Sequence, residues 1–210
     1  MKINKKISTV NRTLMTDKDN EYIAIHYVGA VSTAKNNADY FYDVNRNASA
    51  HLFVDENEIW QVVEYYNAAW HVGGANQYYN GCRNSNSIGI EMCCKKDENG
   101  LFYIDDRTVD NTVEITKELM ARYKIPIENV VRHYDVTRKV CPEPWVRDES
   151  KWIEFKERLL GEPSEAEQKK YIQDKCGYDD NTMFWLSRYL HHKPLFKKWY
   201  DSYKKEERIP

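Results

Sequence analysis

"EYIAIHYV", Glu21 to Val28, alternates so that Ile23 and Ile25 fall on one side of an extended chain while Ala24 and His26 fall on the other. This pattern predicts a strand whose isoleucine side needs a core and whose C-terminal end carries a histidine. A second strand is predicted at "NSIGIEMC", with Ile88, Ile90 and Met92 on one face and Gly89, Glu91 and Cys93 on the other. "SAHLFV" and "IWQVV" flank the polar turn "DENE" and read as a β-hairpin. In "AKNNADYFYDVNRN" a helical reading puts Tyr40, Phe41 and Val44 on one side. From Asp106 to Lys124, Val109, Val113, Thr116, Met120 and Tyr123 recur at helical spacing, with Asp106 as the expected cap and Pro126 just beyond the end. "IENVVRH" returns to a strand, and "ESKWIEFKERLL" is an amphipathic helix stopped by Gly161 and Pro163. Strands alternating with helices give an α/β sheet covered on its faces.

After Pro163 no strand-like alternation remains. Tyr171, Ile172, Met183, Leu186, Tyr189, Leu190, Leu195, Phe196 and Trp199 fall at helical spacings, which predicts two or three short helices. The expected organisation is therefore a catalytic-size domain over residues 1–162 and a small all-helical module over 163–210. With 210 residues and 41% apolar composition, one sizeable core plus a small appendage is what the chain can bury.

A formal net charge of -2 gives no basic footprint for nucleic acid. No apolar stretch approaches a membrane span, and the lysines of the N-terminal segment are followed by no apolar run of export-signal length. Synthesis in the cytoplasm, without membrane association, is the expectation. Five cysteines (Cys82, Cys93, Cys94, Cys141 and Cys176) lack the spacing of a disulfide framework and are expected as free thiols.

The most specific chemistry lies in "VRHYDVTRKVCPEPW", Val131 to Trp145. His133 ends an apolar strand, and Cys141 follows in a loop stiffened by Pro142 and Pro144. Catalytic zinc takes three protein ligands and leaves a fourth position for water; His26, at another strand end, completes a His/His/Cys set. The residues alone leave alternatives open. A strand-end histidine is often a hydrogen-bonded core residue and a cysteine often buried filler, and Cys141 with His133 as base also fits a thiol hydrolase.

"AIHYVGA", "ASAHLFVDENEIWQVV", "AAWHVGG", "NSNSIGIEMC" and "VVRHYDVTRKVCPEPW" resemble, in order and approximate separation, the zinc-dependent N-acetylmuramoyl-L-alanine amidases, a family that shares its fold with the peptidoglycan-recognition proteins. The version here looks like the phage endolysin branch, and the resemblance covers roughly Glu21 to Leu160. It implies a central mixed sheet flanked by helices. It also implies Zn2+ on His26, His133 and Cys141, and hydrolysis of the amide joining the lactyl group of N-acetylmuramic acid to L-alanine in bacterial peptidoglycan. Glu91 matches the family's general base and Lys139 its oxyanion-stabilising residue. His71 and His51 match positions that line the substrate groove or pack beneath the metal, and Trp70, with Gly73 and Gly74 close behind it, reads as a groove wall or a core residue. Where some members carry a catalytic tyrosine before the hairpin histidine, this chain has Ala50; where many have glycine it has Arg138, a bulky cation expected either to reshape the loop or to contact a stem-peptide carboxylate. A non-catalytic peptidoglycan-binding module is the rival class, and the cysteine at 141 favours the enzyme. The C-terminal helices resemble modules appended to such amidases, with wall binding, self-association or stabilisation as their role, and the endolysin branch implies action on the cell wall after release through a membrane lesion.

Overall fold

The computed structural model describes residues 2–73, 76–161, 165–189 and 193–207. The chain divides into two compact units, Met1–Leu159 and Leu160–Pro210. The first is built on a mixed sheet of β1 (Ile3–Lys5), β2 (Tyr22–Val31), β3 (Leu52–Val54), β4 (Ile59–Gln61), β5 (Ser87–Lys96), β6 (Phe102–Tyr103) and β7 (Val130–Arg132). The order is β1-β4-β3-β5-β2-β7, with β6 paired antiparallel to the far end of β5. β2 runs parallel to both β5 and β7, and β3 parallel to β5, whereas β3 and β4 form the antiparallel hairpin. The first and sixth strands carry no clear alternation in the sequence and are additions to the predicted set.

Period-two alternation divides the sheet into two faces. Ile23, Ile25, Leu52, Val54, Ile88, Ile90 and Met92 form the buried side of one. Over them lie α2 (Asp106–Tyr123), through Val113, Ile115 and Leu119, and α5 (Glu149–Leu160), through Trp152, Phe155 and Leu159. The aromatic rings of Trp145, Trp152 and Phe155 pack within 6.0 Å of one another, centroid to centroid. Asp105, rather than the expected Asp106, caps α2 by accepting from the Arg107 N–H; an acidic side chain one residue further in would already be helical. Gly161, with a positive φ, follows the end of α5.

The opposite face carries Ala24, His26, Phe53, Gly89, Glu91, Cys93 and Val131. Helix α1 (Ala34–Tyr42) covers part of it with Ala34 and Ala38, which pack with Phe53 and Cys93. Its buried side differs from the expected one: Phe41 is partly buried, but Tyr40 is exposed and Val44 lies beyond the helix and is also exposed. Small alanines, with Asn37 reaching Cys93 Sγ at 3.6 Å, let the helix approach the sheet closely. After β7 the chain forms α3 (His133–Thr137) and α4 (Glu143–Arg147), two single-turn helices where the sequence reading expected loop. All five cysteines are free.

The second unit consists of α6 (Glu165–Cys176), α7 (Asp180–Tyr189) and α8 (Lys193–Glu207). Its seam is Ile172 and Met183, with Tyr171, Cys176, Leu186 and Trp199 against them. The side chains of Trp185, Tyr189, Leu195 and Phe196, and all of Leu190, lie outside the described residues. Among the described residues no helix is long and apolar enough to cross a membrane.

Candidate metal centre

The parallel register sets His26 on β2 opposite Glu91 on β5, and Phe53 on β3 on the other side of Glu91. Ile25 pairs with Arg132, so the next residue of each chain, His26 and His133, emerges on the same face. Cys141 is brought back by a hydrogen bond from the Tyr134 N–H to its own carbonyl (2.9 Å) and by Arg138, whose left-handed backbone (φ 65°) ends α3 and turns the chain.

The result is a buried cluster. His26 Nδ1 lies 3.1 Å from His133 Nδ1 and 3.8 Å from Cys141 Sγ, and the ligand atoms of all three lie within 4.8 Å of one another. For a tetrahedral ion, Zn–N and Zn–S bond lengths demand N···N and N···S edges of about 3.3 and about 3.6 Å, so two imidazoles and one thiolate at these separations fit such an ion. A second observation agrees: Glu91 Oε2 is buried without a hydrogen-bond partner, as expected beside a site completed by something else.

Burial pushes the three histidines of this region, His26, His71 and His133, below their ordinary range, with His133 at about 4. Neutral imidazoles are what a metal requires. The Glu91 carboxyl is raised by burial to about 8, against the opposing charge of Lys139, and burial likewise raises the Cys141 thiol to about 12. Lys139 itself is exposed, and its charge is felt by His26, His133, Glu91 and Cys141 alike, which puts it at the rim.

The remaining predicted positions separate. His71 is buried against the cluster, its Nδ1 3.0 Å from His26 Nε2. His51 is wholly buried: its Nδ1 accepts from the Gly89 N–H (2.9 Å), and its Nε2 lies 3.1 Å from the Asn67 carbonyl and 3.2 Å from Lys18 Nζ. The ring is enclosed by protein, with none of its surface exposed. Trp70 is partly buried, donates Nε1–H to Thr13 Oγ1 (2.9 Å), and lines an open pocket of about 600 Å³ with Thr13, Tyr78, Arg83 and Asn84. Arg138 is exposed and stacks its guanidinium 4.4 Å from the Tyr79 ring. Gly74 lies outside the described residues.

The sequence profile described as N-acetylmuramoyl-L-alanine amidase matches residues 16–144, well over half of the chain. The chain belongs to that family. Among curated amidases it is 37% identical over 147 residues to CwlL of Bacillus licheniformis (65% of this chain, 40% of the relative) and 36% identical over 154 residues to BlyA of Bacillus subtilis strain 168 (67% and 41%). It thus spans about two fifths of the length of these relatives. Among solved structures, that of PlyL superposes with a TM-score of 0.65 at 28% identity, covering 76% of this chain and 97% of that one. The PlyG catalytic domain gives 0.65 at 29%, covering 78% and 100%. The amidase profile ends just past Cys141, so the cluster lies inside the matched region, and family and geometry together mark a metal site.

Sequence reasoning passed over three residues that shape this amidase site. Ser87 precedes Gly89 and Glu91 by even steps on the same strand face, and period two would have singled it out. Asn84, whose side-chain oxygen accepts from the His71 and Val72 N–H groups, and Lys18 left no local trace.

Proposed function

We propose that this chain is a zinc-dependent N-acetylmuramoyl-L-alanine amidase that hydrolyses the amide between the lactyl group of N-acetylmuramic acid and L-alanine of the stem peptide in bacterial peptidoglycan. The observation that carries the reading is the buried His26–His133–Cys141 cluster with Glu91 beside it in register. When bound, zinc would polarise the scissile carbonyl and make water a usable nucleophile near neutral pH, and its charge would draw Glu91 toward the ionised form.

Each side chain has a role in that chemistry. His26, His133 and Cys141 hold the ion. Glu91, with one buried and unpartnered oxygen, takes a proton from water and delivers it to the leaving amine. Lys139, exposed at the rim, faces the developing oxyanion with a full positive charge. Ala50 offers no hydroxyl, so proton transfer rests on Glu91. Trp70 and Arg138 are assigned to the substrate, the first as a groove wall and the second toward a stem-peptide carboxylate. Residues 1–162 form the catalytic domain; residues 163–210 form the helical module, serving stabilisation, self-association or wall binding. Cell walls are the place of action.

The deciding experiment is metal analysis of the purified protein coupled to product identification on digested peptidoglycan. One zinc per chain, new L-alanine amino termini, loss of activity with a chelator and recovery with zinc are expected. Activity indifferent to chelation would point to the thiol hydrolase, and muropeptide binding without new termini to a recognition module.

A further inference from the structure

We infer that His71 and Ser87 are positioning residues that fix His26 in the tautomer a metal needs, through a hydrogen-bond chain of set polarity. This rests on the metal-site reading above but assigns residues that the reading leaves without a task.

The polarity follows from one proton. Ser87 Oγ lies 2.5 Å from the Arg83 carbonyl, which can only accept, so the single hydroxyl proton is committed there. His71 Nε2 lies 3.1 Å from the same oxygen and must therefore donate to it. A neutral imidazole that donates from Nε2 accepts at Nδ1. His71 Nδ1 lies 3.0 Å from His26 Nε2, so His26 carries its proton on Nε2 and presents a bare Nδ1. That atom is the one facing His133 Nδ1 and Cys141 Sγ. The order runs from a backbone carbonyl through a hydroxyl and two imidazoles; reversing it would leave two oxygen atoms 2.5 Å apart with no proton between them.

The surroundings hold the chain in place. The His71 and His26 rings meet edge to face with centroids 5.1 Å apart. A Cβ at Gly89 would come within 2.6 Å of the His71 ring, so the glycine opens the space the ring occupies. Asn84 Oδ1 fixes the backbone on which that ring is mounted, accepting from His71 N at 3.0 Å and from Val72 N at 2.9 Å. Partners of this kind raise the basicity of a ligating imidazole and fix its orientation, and losing them typically lowers metal affinity about 10–100-fold.

Two measurements test the assignment. Zinc affinity is read by competition with a chromophoric chelator for the wild type, His71→Phe, Ser87→Ala and the double variant, with circular dichroism reporting the fold of each. Affinity falling about 10–100-fold in either single variant, with the double variant no weaker than His71→Phe, is expected, because Ser87 acts through His71. Folded single variants that bind zinc as tightly as the wild type, or a double variant whose loss is the sum of the two, would overturn the chain. Nitrogen-15 spectra of the histidine rings in the metal-free protein give an answer even if a variant misfolds: the wild type should show His26 and His71 protonated at Nε2. A proton on His26 Nδ1 sinks the proposal. A wild type that takes up no zinc in the competition assay strikes instead at the metal site, while the ring spectra still decide the tautomer.

Discussion

Glu91 stands in register with His26, has a raised pKa and keeps a buried oxygen unpartnered, which makes it the residue whose loss should separate chemistry from metal binding. Glu91→Gln is expected to lower kcat by about 10²–10⁴-fold while zinc content, measured by atomic absorption, stays at the wild-type level. Lys18 makes a different prediction. Its ammonium nitrogen is held between the carbonyls of Tyr65 (3.2 Å) and Ser87 (2.7 Å), and burial lowers its pKa to about 7 from the ordinary 10.5. Between pH 7 and 10.5 the unfolded chain binds this proton and the folded chain does not, so the lysine makes folding more favourable as pH rises through that window; below pH 7 both states are charged and its penalty is constant. Urea unfolding at pH 7 and pH 9 should show the wild type gaining stability relative to Lys18→Met, with a slope of at most about 1.4 kcal/mol per pH unit. Equal pH dependence of the two proteins would show that the site is not dry enough to shift the amine. Lys18 could not have been found in the sequence, where a lysine beside two aspartates reads as solvated surface; its burial depends on carbonyls 47 and 69 positions away.

Among the elements, the segment from β7 into α3 is held by Arg132. Its side chain is nearly buried, donates to Asp135 from Nε (3.1 Å) and Nη2 (2.9 Å), and reaches Glu149 Oε2 (2.6 Å) and the Trp145 carbonyl (3.0 Å) through Nη1. One guanidinium thus ties the strand end to three helices, α3, α4 and α5, and His133 is the next residue. Arg132→Met should cost about 2–3 kcal/mol of stability by denaturant titration, since it strands a partly buried carboxylate and a carbonyl. A loss below about 0.5 kcal/mol would mean that water replaces the clamp. The central strands were legible because Ile/Ala and Ile/Gly alternation is strict over six or more residues, and α2 and α5 because their apolar positions keep a helical period. β1 and β6 were not: three and two residues carry too little period, and whereas β6 folds straight back onto the end of β5, β1 depends on a partner strand distant in sequence. For α1 the large aromatic residues suggested the wrong side, because close approach to the sheet selected alanine.

At the scale of the molecule, core and site lie back to back on one sheet. A ligand set in which His26 lies over a hundred positions from both His133 and Cys141 means that zinc should bind the folded first unit and hardly at all the unfolded chain. Excess zinc is therefore expected to raise its unfolding free energy by mass action, by about 2.7 kcal/mol at a hundredfold excess over Kd. Differential scanning calorimetry with and without chelator checks this, and an unchanged transition in Cys141→Ser on adding zinc is the matching control. The ligand set was legible in the sequence only as strand-end histidines and a proline-flanked cysteine. Convergence on a single point required the parallel registers, which no local pattern encodes.

β7 has three residues and lies at the end of the strand order, joined only to β2, whereas β2 itself is flanked by β5 and β7. His26 therefore belongs to the interior of the sheet, while His133 and Cys141 belong to its margin. An ion shared between them would work as a clasp on the most easily opened edge. Amide hydrogen exchange over residues 130–141 should then slow sharply when zinc is added, with little change in β5, so that the state of the metal is written in the breathing of one short edge strand.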